Sequence, residues 1–527
     1  PRGRFGMRGT IVLPPNTTLV GEGMDLSQIY WADEDDPKGA LISGTVNFGI
    51  ENVSLCAGNI DRGIVTEKAD KNEWVSLINV RTRFLHTDSG AEEGLRRQRQ
   101  KGALALSLHA DHLEIAGCDF YASKGSSGIS GTYVRISGSK FGGPDCAYYS
   151  GRYFVFEDNN HLGQSMSFGN GSRDCYIARN RFGNCFGDGD RETFTLDGGR
   201  PTFEGTARCA GLKMTLSEEG LKRFGWLDGQ DSWIGRPVYI YAGKGRGQYR
   251  DIVKFANRTD LEIASPWTVV PDETSQFCIA KNRYQLIFAN NLFFDGNPFT
   301  MYGSAVDVIL YGNRMYRNSG MAAHSLDDDN PKVAWFIQFL KNEIMEGNTV
   351  RGPQSFQNPA RDSLLTFFSG GSRFKPCQPL AMGGVLRGNV LRSNASILCW
   401  GHILGLLIDD NQIEKSDLGV QVYDSNVRAA VVRRTRFDEV VAPYRLGGTV
   451  EILPEDRLSV MKYCFEAVLK IKWDGYETCG AALSALKERD VSPEVFEMLS
   501  GINVVQMAPW DLERLASGKV KDITLWT

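Results

Sequence analysis

No cysteine pairing pattern runs through this chain. Its 11 cysteines show no CxxC, no paired spacing and no Cys/His cluster at zinc-ligand spacing. That excludes a disulfide framework and a small zinc module as the source of stability. Cys118, Cys175, Cys185 and Cys399 lie in apolar runs and read as buried small hydrophobes. Such thiols weakly favour a reducing compartment, or a secreted protein without a disulfide framework. A basic excess is missing too. Lys and Arg number 59 against 63 Asp and Glu, for a formal charge of −4, and there is no polybasic run. Neither nucleic acid nor a membrane surface is expected as a partner. The longest apolar stretch, Ile397–Ile408, is too short to span a bilayer and is broken by Gly401 and His402. Proline is modest at 19, whereas glycine reaches 58 of 527 residues, well above the usual share of about 7%. That pairing fits many tight turns. With 42% apolar and 23% charged residues, the chain is globular, with room for one large or two to four ordinary domains. It opens at Pro1 with no initiator Met and no signal-peptide pattern. It reads as processed or trimmed, which leaves localisation open between secreted, periplasmic and cytoplasmic.

What is present is a repeat of 20–24 residues. Its marker is Asn or a small polar residue, any residue, then an apolar one. The copies are Cys118-Asp119-Phe120, Ser139-Lys140-Phe141, Asn160-His161-Leu162, Asn180-Arg181-Phe182, Asn290-Asn291-Leu292, Asn313-Arg314-Met315, Asn342-Glu343-Ile344, Asn389-Val390-Leu391, Asn411-Gln412-Ile413 and Thr435-Arg436-Phe437. The spacings are 21, 21, 20, 110, 23, 29, 47, 22 and 24. The 47 is two periods, and the 110 becomes 27 once residues 201–283 are set aside as an insertion. Between markers lie short alternating runs such as Val306–Leu310, a strand period rather than a helical one. LxxLxL signatures are absent, and propeller blades and TPR units need longer repeats. A parallel β-helix remains, with three short strands per coil and coils about 4.8 Å apart. The recurring Asn suits a sharp left-handed turn, and its amide can bond the next coil as a ladder.

The opening Gly9-Thr10-Ile11-Val12-Leu13-Pro14-Pro15-Asn16-Thr17-Thr18-Leu19-Val20-Gly21-Glu22-Gly23, followed by Phe48-Gly49-Ile50-Glu51-Asn52-Val53-Ser54-Leu55, resembles the first coils of right-handed parallel β-helix proteins of the pectate-lyase-like superfamily. The resemblance implies an all-β, right-handed solenoid over about residues 10–200 and 284–450. For activity it implies a choice among lyases, hydrolases, epimerases and tailspikes, since one fold hosts many functions. Four segments are expected: N-terminal coils over 1–200, an inserted small β module over 201–283, C-terminal coils over 284–453 and a helical cap over 454–527. Within the insertion, strands Pro237–Tyr241, Tyr249–Phe255 and Leu261–Ala264 surround Gly243-Lys244-Gly245-Arg246-Gly247. Those glycines read as a hairpin turn, because no Walker Lys-Ser/Thr or following helix accompanies them. Glu92–Lys101 reads as a charged helical loop, and Glu455–Ile471 as a helix. Ser492-Pro493-Glu494 reads as a helix start, with stops at Gly501 and Gly518. The tail would cover the unpaired edge of the last coil. An interface in a homo-oligomer is the alternative.

The densest polar segment is Gly187-Asp188-Gly189-Asp190-Arg191-Glu192-Thr193-Phe194-Thr195-Leu196-Asp197. Asp190 and Glu192 would share one face of an extended chain, about 7 Å apart. Counted from the marker, Asp190 is at +10, Glu192 at +12 and Asp197 at +17. In the next coil Asp295 is at +5 and Tyr302 at +12, and in the one after His324 is at +11. These positions are expected to stack along one flank, beside the insertion. Glycoside hydrolysis needs two carboxyls, about 5–5.5 Å apart for retention or 6.5–9.5 Å for inversion. Either spacing is within reach of adjacent coils or of i,i+2 positions. The candidate catalytic residues are therefore Asp190 and Glu192, with Asp197 and Asp295 in reserve. Arg191, Tyr302, His324, Trp267 and Trp335 are candidate substrate contacts, the aromatics by stacking on sugar rings. The bland readings are a calcium site, a structural turn or a solvated loop, the last applying also to Asp327-Asp328-Asp329.

The expected function is a glycoside hydrolase or related glycosyl-transferring enzyme, with carbohydrate as partner and no cofactor. The alternatives are a polysaccharide lyase or a non-catalytic glycan-binding tailspike. By resemblance, a lyase would use Arg191 as base and the acids as calcium ligands, although near-neutral charge fits a polyuronate poorly. The polygalacturonase-type pattern is not met: Ile403 follows Gly401-His402, and Asp409-Asp410 come after rather than before it. No family catalytic residue carries over.

Overall fold

The computed structural model describes residues 1–32, 38–58, 60–67, 73–85, 104–122, 126–143, 146–163, 165–169, 171–185, 192–197, 199, 201–223, 233–303, 305–327, 331–347, 363–369, 380–423, 427–447, 450–452, 458, 462, 465–466 and 472–489. Strands dominate them, in one large parallel sheet and one smaller antiparallel sheet. Among the described residues, helices Glu218–Arg223 and Cys479–Lys487 accompany these sheets. The second starts at Thr478, whose Oγ1 accepts from Ala481 N at 3.2 Å. Among the described residues no helix is long and apolar enough to cross a membrane.

In the large sheet the pairing is parallel except between Gly320–Asp327 and Pro331–Lys332, and outside the insertion most strands pair with partners two to four elements away. Phe154–Glu157, Arg173–Ala178, Arg283–Ala289, Ala305–Tyr311, Ala334–Leu340, Ala381–Arg387 and Ile403–Asp409 form one ribbon. Asn160–Leu162, Arg181–Cys185, Leu292–Gly296, Arg314–Asn318, Glu343–Gly347 and Val390–Arg392 form the second. Ser165–Phe168, Phe194–Asp197, Phe299–Tyr302, Gly320–Asp327, Ser363–Ser369 and Ala395–Trp400 form the third. This all-β, parallel arrangement is consistent with a β-helix. Alternation points every second side chain into one continuous core. Register then stacks like on like: Phe182 on Phe293 and Phe194 on Phe299, with centroids 5.0 Å apart in both pairs. Cys118, Cys175 and Cys399 are core thiols, as expected, and burial pushes each up to about 12.

The asparagine ladder is present, with a one-residue correction at two repeats. Backbone N–H and Nδ2–H of each Asn donate to Oδ1 of the next, from Asn159 through Asn180, Asn291, Asn313, Asn342 and Asn389 to Asn411. Ser139 and Cys118 continue it toward the N-terminus. Asn160 and Asn290 are not on it. The left-handed residue is also not the ladder Asn but the one before it. Gly138, Asp158, Arg179, Asn290, Gly312, Lys341, Gly388, Asp410 and Arg434 all have φ between 52° and 66°. That residue turns the corner, which frees the next side chain to point along the stack.

Residues Pro201–Ala280 form the smaller sheet, all antiparallel. Its strands Pro237–Ala242, Tyr249–Phe255 and Asp260–Ile263 match the expected runs to within a residue. Gly243, Gly245 and Gly247 make the turn between the first two, at φ of 76°, 79° and 96°, as a hairpin requires. The module packs on the outer face of the first ribbon. There Tyr284, Val306, Trp335, Met382 and Leu404 lie in register. They contact Tyr239, Tyr241 and Cys278 of the insertion. Left-handed Gln285, Asp307 and Phe336 follow three of these residues, so that each preceding side chain faces outward while the next again faces the core. The junction is polar at its rim: Tyr249 donates to the Asp307 carboxylate, and Arg173 pairs with Asp251 at 3.0 Å. Burial pushes Asp307 above the usual carboxylate range, against the Tyr249 hydrogen bond.

This packing corrects two expected sugar contacts. Trp335 lies between ribbon and insertion, edge-on to Tyr239, and Trp267 lies in the insertion's own core beside Phe277; each keeps 5% or less of its surface. Both rings are spent on folding, because two β-faces meeting need large apolar side chains to fill the space between them. The expected elements around Glu92–Lys101, Glu455–Ile471, Ser492–Gly501 and Gly518 lie wholly or almost wholly outside the described residues.

Candidate functional site

The third ribbon carries the site. On Phe299–Tyr302, Phe299 and Met301 face the core, so Thr300 and Tyr302 face outward. The same parity turns His324, Phe368 and Trp400 outward, between core residues such as Ala323, Phe367 and Cys399. Register aligns Asp197, Tyr302, His324, Phe368 and Trp400 in one column. The rings touch in sequence. Tyr302 meets His324 edge-on at 4.5 Å, His324 stacks on Phe368 at 4.5 Å, and Phe368 stacks on Trp400 at 3.8 Å. Each of these residues comes at or near a strand end, next to the corner from which the insertion emerges after Asp197.

Glu192 stands at the head of this column. Its neighbour Thr193 is fixed by two bonds, Oγ1 to Asn297 O at 2.7 Å and N to Pro298 O at 3.1 Å. Asn318 Nδ2 also donates to Asn297 O, at 2.7 Å. The Tyr302 hydroxyl donates to the Glu192 carboxylate. Both side chains are half-buried. A carboxyl is thus held by a phenol at the edge of an aromatic face.

His324 is the unusual member. It keeps 3% of its surface, and neither Nδ1 nor Nε2 has a hydrogen-bond partner among the described residues. Burial, reinforced by Lys332 nearby, pushes its imidazolium down to about 3. It is therefore a neutral ring with one free donor and one free acceptor. Thr300 Oγ1, Thr366 Oγ1 and Ser396 Oγ share its condition: all three are outward, fully or almost fully buried and unpartnered. An unmatched buried polar group costs about 1–3 kcal/mol, so four on one ribbon call for an explanation.

The expected stacking is therefore found for Asp197, Tyr302 and His324. Glu192 joins through Tyr302's hydroxyl rather than by facing Tyr302 in the register. Asp295 does not join. It sits at a left-handed position near the end of its second-ribbon strand, Leu292–Gly296, where Arg317 donates to both of its oxygens at 2.5 and 2.8 Å. That guanidinium holds Asp295 below the usual carboxylate range, so it serves neither as a protonated acid nor in the column. Asp190 and Arg191 lie outside the described residues, as do Asp328 and Asp329. Among the described residues no three His, Cys, Asp or Glu side chains converge as metal ligands. Sequence reading missed Phe368, Trp400, Thr300, Thr366 and Ser396. A usable signal was there: a ring at or near the end of each third-ribbon strand, in Phe299-Thr-Met-Tyr302, Met321-Ala-Ala-His324 and Ile397-Leu-Cys-Trp400.

A concavity of about 520 Å³ lies on the second-ribbon side of the N-terminal repeats, lined by Arg83, Asp119, Tyr121 and Lys140. Its principal charges are spent on each other, with Arg83 bonded to both oxygens of Asp119 at 3.2 and 2.6 Å. No protein-family model matches the chain, and no curated protein matches it.

Proposed function

We propose that the protein is a right-handed parallel β-helix of the pectate-lyase-like kind that acts on carbohydrate as a glycoside hydrolase. The observation that carries this reading is the Glu192–Tyr302 pair at the head of the ring column. Hydrolysis of a glycosidic bond needs a carboxyl that delivers a proton to the leaving oxygen and a second that stabilises or attacks the anomeric carbon. Glu192 takes the first role, oriented by the Tyr302 hydroxyl. Asp197, facing Tyr302 in the register, takes the second, with Asp190 as the other candidate. Trp400, partly exposed beyond Phe368 in the column, offers an aromatic ring of the kind on which pyranose rings stack, whereas both faces of Phe368 are taken by His324 and Trp400. The right hand of the coil follows from the general preference of parallel crossovers.

The test is incubation with neutral and uronic polysaccharides, with and without chelator, reading reducing ends and absorbance near 235 nm together. New reducing ends without an absorbance rise are expected. Glu192→Gln should then lower turnover about 10²–10⁴-fold. An absorbance rise lost with chelator would overturn hydrolysis in favour of lyase chemistry. Binding without either signal would make the protein a glycan-binding module. Tyr302→Phe is expected to shift the pH–rate profile while leaving the fold intact, because it removes only the hydroxyl that touches Glu192.

A further inference from the structure

The second ribbon continues toward the N-terminus through Lys140–Gly142 and Asp119–Ala122. Phe120, Phe141, Phe182, Phe293 and Met315 face the core, so the residues on either side of each face outward. Register sets these in two columns. The first reads Asp119, Lys140, Asn160, Arg181, Leu292 and Arg314. The second reads Tyr121, Gly142, Leu162, Gly183, Phe294 and Tyr316, with no formal charge. The insertion packs on the first ribbon instead, and Lys140, Arg181 and Arg314 are exposed.

The cations of this face are compensated at its two ends but not between them. Toward the N-terminus, Asp119 meets Arg81 at 3.4 Å and Arg83 at 2.6 Å, and Lys140 stands beside it as a third cation. Toward the C-terminus, Arg392 bridges Glu343 and Glu414. Lys140, Arg181 and Arg314 recur at every second repeat, about 9.6 Å apart. None of the three is ion-paired among the described residues. The 520 Å³ concavity opens at the Lys140 end, lined there by Tyr121, Gly142, Asn160 and Leu162.

We infer that this stripe is a binding surface for an acidic glycan in which charged and neutral sugars alternate, lying along the stack of repeats. It is separate from Glu192, which belongs to the third ribbon, and it does not depend on hydrolysis there. Two sugar units of an extended chain span about the length of two repeats. One carboxylate in every two sugars then meets Lys140, Arg181 and Arg314 in turn, while the neutral sugars lie over Asn160 and Leu292. Tyr121, Leu162 and Phe294 offer apolar surface alongside. A chain charged on every sugar would press a carboxylate against Leu292, with no cation there to replace its water. A nucleic-acid strand is denser still, with a charge about every 3.4 Å. Because the protein carries −4 overall, the attraction is local and weakens with salt.

The experiment titrates four ligands of equal length into Glu192→Gln protein by calorimetry: hyaluronan oligosaccharides, polygalacturonate oligomers, cello-oligosaccharides and single-stranded DNA. Hyaluronan, in which a uronate alternates with a neutral amino sugar, is expected to bind tightest and to weaken as salt rises. Lys140→Gln, Arg181→Gln and Arg314→Gln should each weaken it up to about fivefold, and the triple variant about 10²-fold. Thermal stability should not change, since the three side chains are exposed and hold no ion pair. Hyaluronan affinity untouched by the triple variant would place the ligand elsewhere and overturn the inference. Tighter binding of polygalacturonate, cello-oligosaccharide or DNA would overturn the alternating class. Binding by none of the four overturns the surface itself. Turnover is read separately in the wild type, so failure of the Glu192 reading and failure of this one are distinguishable.

Discussion

Asn313→Ala is expected to destabilise the protein by about 4 kcal/mol, since it removes a buried rung of the asparagine ladder. Asn313 is fully buried. Its Nδ2 donates to Phe288 O at 2.9 Å and to Asn342 Oδ1 at 3.0 Å, while its Oδ1 accepts from Asn291 N at 3.0 Å and Asn291 Nδ2 at 2.9 Å. Truncation leaves the Phe288 carbonyl and two Asn291 N–H groups without partners, at about 1–3 kcal/mol for each buried orphan. Polarisation along the ladder adds to the loss. Asn313→Ser should cost roughly half as much, because Ser139 already fills this position, accepting from Cys118 N at 3.1 Å. Denaturant midpoints of the two variants against wild type decide it. A cost below about 1 kcal/mol for the alanine would show that the ladder follows the fold rather than holding it.

The second large effect is on acid stability. Folded His324 titrates at about 3, against about 6.5 in an unfolded chain. Above pH 6.5 the ring is neutral in both states and contributes nothing to the pH dependence. As pH falls below 6.5, the unfolded chain takes up a proton that the native protein refuses. Stability is therefore lost at up to about 1.4 kcal/mol per pH unit, until the native ring also protonates near pH 3. Between pH 7 and pH 5 this amounts to about 2 kcal/mol. His324→Phe keeps a ring between Tyr302 and Phe368 and removes the titration. The variant is expected to lose about 2 kcal/mol less than wild type over that interval, with stability at pH 7 held or raised, since two unpartnered nitrogens are gone. Equal acid slopes in urea titrations at pH 7 and pH 5 would show that the ring is protonated, or opens to water, in the native state.

How far the site could be read from residues alone differs from one group to the next. Tyr302 and His324 were reachable, because equal spacing from the ladder residues Asn291 and Asn313 predicts that they stack, but the marker count from Asn180 and Asn290 places Glu192 rather than Asp197 beside Tyr302, and the register shows Asp197 there. Asn290 and Asn160 misled that count. Each belongs to an Asn-Asn doublet, and only the left-handed residue, Asn290 in one repeat and Asp158 in the other, shows which member turns the corner. Phe368 and Trp400 were hidden because the segments on either side of Ser363–Ser369 vary in length, so spacing loses register there. Trp335 and Trp267 were misread for another reason. An outward ring on a strand is indistinguishable in sequence from a covered one, and what covers Trp335 is Tyr239, 96 residues earlier.

The sequence by itself determined the short-range pattern: period-2 strands, a polar corner every 20–24 residues and a break where residues 201–283 leave the repeat. Those features depend on alternation and turn chemistry within a few neighbouring residues. Only the tertiary structure decided which outward side chains are buried, which carboxylate is neutralised by Arg317, and that Tyr302 bonds Glu192 across 110 residues of chain. Those outcomes depend on register between parallel strands that the insertion separates. Register is set by the whole stack of core contacts rather than by any local segment.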